Sequence, residues 1–178
     1  MDLATGCIST PRELLANTLA NCTAFRSWSG PTWSVAEAAT HVHQQALPEE
    51  GEDWLSMDAA RPFAVIARPD HANRIRREAQ PRGFIAAGGF VVELHWSPPS
   101  LDRDDHGKNI RAFENFLGAL IMTGDVNSPG ICELSGTYGY LNASDIIVDG
   151  PYRVRPDEVP VVGDCYVAYL NIEFGDRS

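Results

Sequence analysis

The sequence predicts an α+β fold in which helices pack on a mixed, mainly antiparallel sheet, as a single domain over residues 1–178. Three observations carry that prediction. Residues 164–174 alternate: Tyr166, Ala168, Leu170, Ile172 and Phe174 oppose Cys165, Val167, Tyr169, Asn171 and Glu173, the period-two pattern of a strand. Residues 109–123 place Ile110, Phe113, Leu117, Leu120 and Ile121 at helical spacing, with Phe116 beside them, so one stripe of a helix is apolar. The chain has 178 residues, 44% of them hydrophobic, and a chain of this size buries about 70% of its unfolded surface in one core. No internal repeat, low-complexity tract or linker divides it.

The first helix is expected from Pro11, with Ser9 or Thr10 as its cap and Glu13 in the capping-box position. Leu14, Leu15, Leu19 and Cys22 form its stripe, Phe25 and Trp28 anchor its end, and Gly30-Pro31 breaks the chain. A second helix opens at Ser34, again with a glutamate three residues on at Glu37. Its weaker face is Val35, Ala38, Ala39, Val42 and Ala46, and it stops before Pro48. Residues 48–53 read as an exposed acidic loop. The short apolar run 61–67 reads as a strand buried on both faces.

Residues 68–82 hold the one basic stretch, with Arg68, Arg74, Arg76, Arg77 and Arg82. Arg74-Ile75-Arg76 alternates as a solvent-facing strand or protruding arm does. Residues 84–96 follow, with Gly88-Gly89 as a turn or bulge. Phe90, Val92, Leu94 and Trp96 share one face, and Val91, Glu93 and His95 the other. A polar, proline-containing loop over 97–107 leads into the strong helix, where Asp102, Asp104 and Asp105 meet the positive end of its dipole. Gly124 and Asp125 end that helix. Residues 131–135 and 144–152 read as short strands.

Composition narrows the function. Acids outnumber bases 24 to 14, for a formal charge of −10. That opposes tight binding to a nucleic-acid backbone, which needs clustered Lys and Arg. Cys7, Cys22, Cys132 and Cys165 form no CxxC pair and read as free thiols behaving as small hydrophobes. Residues 1–9 lack the basic and apolar regions of a signal peptide. The longest mostly apolar run, 84–96, is too short and too polar to span a bilayer.

Motifs for catalysis are missing: there is no GxSxG elbow, HExxH helix, phosphate loop or GxGxxG turn. His41 and His43, on a helix, point to different faces and share no ion. His71, His95 and His106 are scattered. Asp102, Asp104 and Asp105 lack the glycine position and terminal glutamate of a calcium loop. No catalytic, metal-binding or cofactor-binding residue is therefore assigned. An arginine-rich arm on an acidic chain instead favours pairing between unlike surfaces of identical copies, against the bland alternative of a solvated arginine stretch. The interface candidates are Arg74, Arg76 and Arg77 on the arm and Glu49, Glu50, Glu52 and Asp53 on the acidic loop.

Three stretches give the chain a wider likeness. They are the N-terminal helix, 11–25; the run Arg111-Ala112-Phe113-Glu114-Asn115-Phe116-Leu117-Gly118 with its exit to Pro129-Gly130; and the closing strand from Gly163-Asp164 to Asn171-Ile172-Glu173-Phe174-Gly175. In this layout the chain resembles the tail terminator (tail-completion) proteins of long-tailed bacteriophages. The resemblance implies a small α+β subunit of a homohexameric ring at the neck end of the virion tail, made in the host cytoplasm. Such a ring caps the tail tube, stops its polymerisation and joins it to the head-side connector. Its implied partners are further copies of itself, the major tail tube protein and a connector or stopper protein, and genome DNA crosses its lumen without sequence-specific binding. Other readings are a head-completion or stopper protein of the same neck, an adaptor domain in a contractile or secretion machine, and a small metal-dependent hydrolase using the histidines and the acids at 102–105.

Overall fold

In the computed structural model, which describes residues 3–44, 61–67, 74–77, 84–122, 130–131, 143–155 and 164–174, the sheet grows outward from its last strand. β1 is Val42–His43, β2 Phe63–Ala67, β3 Arg74–Arg77, β4 Phe84–Trp96, β5 Ala143–Val154 and β6 Cys165–Phe174. Five strands run in the order β1-β2-β4-β6-β5, and β3 pairs β4 off this path. β1 and β2 are parallel and every other pair is antiparallel. The fold is α+β with a mixed, mostly antiparallel sheet.

The alternation read from the closing strand sets one face. Tyr166, Ala168, Leu170 and Ile172 are buried, and β4 sets Trp96, Leu94, Val92 and Phe90 opposite them in register. β2 adds Ala64 beside Leu94 and Ile66 beside Val92. The helices α1 (Leu3–Asn21), α2 (Thr23–Arg26), α3 (Val35–Thr40) and α4 (His106–Ile121) all feed the same core. α4 contributes Phe113, Leu117 and Leu120, spaced for one helical face, and α1 contributes Leu15 and Leu19. Phe25, on the single turn of α2, is fully buried against Trp28 and Trp33, and Trp28 stacks on Phe116 at 4.0 Å. The aromatic end of α2 thus locks to α4.

Local chemistry fixes several boundaries. The capping box at α3 is present: Ser34 Oγ accepts from the Glu37 amide at 3.2 Å, and the Glu37 carboxylate accepts from the Ser34 amide at 2.7 Å. Those bonds hold the Glu37 carboxyl below its ordinary pKa. Gly30 has φ +102°, so the predicted break after Trp28 uses a conformation open to glycine. Asn109 donates to the Ser100 carbonyl at 2.8 Å, tying the start of α4 to the preceding loop.

Four expectations are corrected. α1 begins at Leu3 and runs through Pro11, so the proline falls inside the helix, where it lacks the amide donor for the Cys7 carbonyl and its ring crowds that carbonyl. α3 ends at Thr40, and Val42 joins a strand. There the edge of β2 competes with the helix for backbone groups: the Ala64 amide donates to the His41 carbonyl at 2.8 Å, and Val42 pairs Ala64. Gly88-Gly89 is neither turn nor bulge, because the register with β6 continues unbroken through both. Gly89 answers a close approach instead: a Cβ there would sit 2.7 Å from the Ile172 carbonyl oxygen. Ile131 is buried in the core but lies outside any strand. Residues 132–135, Gly124, Asp125 and the 48–53 loop lie outside the described residues.

Leu117→Ala should destabilise the fold by about 2–5 kcal/mol, the range for deleting a buried leucine. Gly89→Ala should destabilise it by about 1–3 kcal/mol through forced separation of β4 and β6. Urea unfolding of each variant measures both.

Candidate functional site

The predicted arginines sit on an outlying hairpin. Residues 88–96 of β4 pair β6, while residues 84–87 pair β3 and no other described strand. Arg74, Arg76 and Arg77 make up most of β3 and lie opposite Ala87, Ile85 and Phe84. The hairpin therefore continues past the last register pair of β6. Glu49, Glu50, Glu52 and Asp53 lie outside the described residues.

A second surface escaped the sequence reading. β5 was expected as a strand over 144–152, but its place at the edge of the sheet was not. It pairs β6 and no other described strand. Its regular run, 145–149, is bounded by register shifts on both sides. Asp145, Ile147, Val148 and Asp149 are exposed, Ile147 by 54%. After them Gly150 takes φ +98°, with the Val167 carbonyl 3.0 Å from where a Cβ would stand. The Tyr152 hydroxyl donates to Asp149 Oδ1, and this bond pushes the phenol above its ordinary pKa. Pro151 was the available signal, since proline inside a strand points to an edge or a bulge.

The end of β5 is fastened to β6. Arg153 Nε donates to Asp164 Oδ1 at 2.9 Å, and Nη2 donates to Oδ2 at 2.7 Å. This two-point pairing with Arg153 holds the Asp164 carboxyl below its ordinary pKa. Fixed geometry of this kind gives a part-exposed pair more weight than an ordinary surface contact.

The titratable groups do not assemble into a reaction centre among the described residues. On the face of the sheet away from the helices, His95 is buried and stacked on Phe63 at 4.6 Å, with Nε2 3.5 Å from Glu93 Oε2. Tyr169, opposite Glu93, is pushed above the usual phenol pKa by burial, then by Glu93 and Asp149. Cys165 is fully buried.

The other histidines are spread out. His41 stacks on Trp33 at 4.0 Å and donates through Nδ1 to the Pro62 carbonyl at 2.9 Å. His43 meets the edge of Phe63, and burial lowers its pKa. His106 Nδ1 lies 2.7 Å from the buried Tyr166 hydroxyl, docking the start of α4 on β6. His71 lies outside the described residues. Asp105 binds Lys108 at 2.7 Å, a contact that lowers its pKa. Among the described residues no three His, Cys, Asp or Glu side chains are placed to hold a metal, and no helix is long and apolar enough to cross a membrane.

No protein-family model matches the chain, and no curated protein is significantly similar to it in sequence.

Asp164→Asn should lower stability by about 0.5–1 kcal/mol at neutral pH. A depressed carboxyl pKa stabilises the fold above the unfolded value, near pH 4, and loses that effect as pH falls through the folded pKa. The gap between the native chain and the variant, read from urea melts, should therefore narrow below about pH 4.

Proposed function

We propose that this chain is a structural subunit that assembles with its own copies, of the tail-terminator type found at the neck of long-tailed phage virions. The observation that carries the reading is the β3–β4 hairpin, which continues past the β6 pairing and bears three arginines on a chain of net charge −10. Three arginines on one strand suit contact with a neighbouring copy, and the opposite overall charge of that copy favours the encounter. The layout of helix, second helix and closing strand supports the same reading.

In this role the ring closes the tail tube, ends its growth and presents a face to the head-side connector. The chain acts by shape and charge, without a catalytic residue or cofactor. Genome DNA passes through the lumen, and an acidic lining there prevents adhesion by repelling phosphates.

Electron microscopy of the full chain, alone and mixed with tail-tube subunits, tests the proposal. Six-membered rings and arrested tube growth are the expected outcome. Tubes that elongate unchanged, with no rings formed, contradict it. Arg76→Glu or Arg77→Glu should weaken the oligomer while leaving the melting transition of the subunit within about 0.5 kcal/mol of the native chain. Unaltered oligomer mass in both variants counts against the arm.

A further inference from the structure

The exposed edge of β5 has a definite chemical character. Its regular run reads Asp-Ile-Ile-Val-Asp over 145–149. Ile147 and Val148 are 54% and 44% exposed, and as neighbours in a strand they project to opposite faces. Asp145 and Asp149 are exposed at the two ends of the run. Beyond it, the register shift and Pro151, which has no amide donor, end the stretch open to pairing. Among the described residues no strand pairs its outer side, and a sheet edge with free backbone groups and apolar β-branched side chains accepts another strand. A fitting strand is short, apolar within and positively charged.

The chain carries such a strand. β3 reads Arg-Ile-Arg-Arg and pairs β4 alone among the described strands. Its four residues fit within the five of the β5 run. Within one molecule the two strands do not meet: β3 lies on the leading residues of β4, and β6 separates β4 from β5. Between molecules the contact is head to tail, because each copy offers one donor strand and one acceptor edge. A contact of that type repeats around a ring and closes it when the rotation between copies permits.

We infer that the 145–149 edge of β5 receives β3 of a neighbouring copy, extending the sheet from subunit to subunit, with the arginines of β3 set against Asp145 and Asp149. The inference rests on the self-assembly reading above. It replaces the acids of the 49–53 loop with those of β5 as the partners of the arm. Opposite charges across a strand pair add to backbone pairing and fix its register.

The test is a reciprocal charge exchange in the full chain, read by analytical ultracentrifugation, with a thermal melt of every variant to establish folding. Asp145→Lys combined with Asp149→Lys should weaken association about tenfold or more, as should Arg74→Asp combined with Arg76→Asp. A chain carrying all four substitutions should regain the native mass. Ile147→Lys, a single change at an exposed site, should dissociate the assembly by itself. A native chain that forms rings while the β5 variants keep full mass, or while the four-fold variant stays dissociated, overturns this contact and leaves self-assembly standing. A native chain that remains a monomer, alone and with tail-tube subunits, overturns both.

Discussion

The pairing of β4 with β6 is the constraint on which the rest of the structure depends. Nine consecutive register pairs set Phe90, Val92, Leu94 and Trp96 against Ile172, Leu170, Ala168 and Tyr166. That apolar floor is what α1, α2 and α4 cover. A slip of one residue would turn Glu93, His95 and Asn171 toward the helices and the apolar row away from them. Burying those polar groups without partners is costly, so the register is strongly specified. At Gly89 a Cβ would stand 2.7 Å from the Ile172 carbonyl oxygen, so the strand needs glycine there for want of room.

A sheet centred on these two strands has definite margins. Among the described strands, β1, with two residues, stands at one side and the twelve-residue β5 at the other. Long edges attract further strands, and proteins restrain them with charges, bulges and proline. β5 carries all three, with Asp145 and Asp149, two register shifts and Pro151. These features confine the open part of the edge to a short stretch. The Arg153–Asp164 pairing holds its far end to β6. The same devices that discourage indiscriminate pairing therefore give the edge length, charge and register, the properties a specific partner would read.

What the sequence made legible follows from the range of the forces involved. The closing strand, the stripe of α4 and the capping box at Ser34 depend on residues within a few positions of one another, and each appears as expected. The local cap read at Ser9 or Thr10 is overrun by a helix that starts at Leu3, while two other misread features depend on neighbours in space. Val42 leaves its helix because β2 offers backbone partners. Gly89 looks like punctuation until the Ile172 carbonyl is seen against it. Of the candidate interface, the strand bearing Arg74, Arg76 and Arg77 was readable from its alternation. The acids of β5 were visible as residues, but their edge position was not, because strand order is written in long-range pairing. Pro151 alone hinted at it.

The central claim is that copies of this chain join through the margins of the sheet while the β4–β6 centre belongs to each subunit. Hydrogen exchange of the full chain, compared between dilute subunit and assembled ring, addresses it most directly. The account predicts that amides in 145–149 and in Arg74–Arg77 become protected on assembly, while those of the β4–β6 pairing are already slow in the dilute subunit. Unchanged exchange at both margins in a chain that has assembled would contradict it.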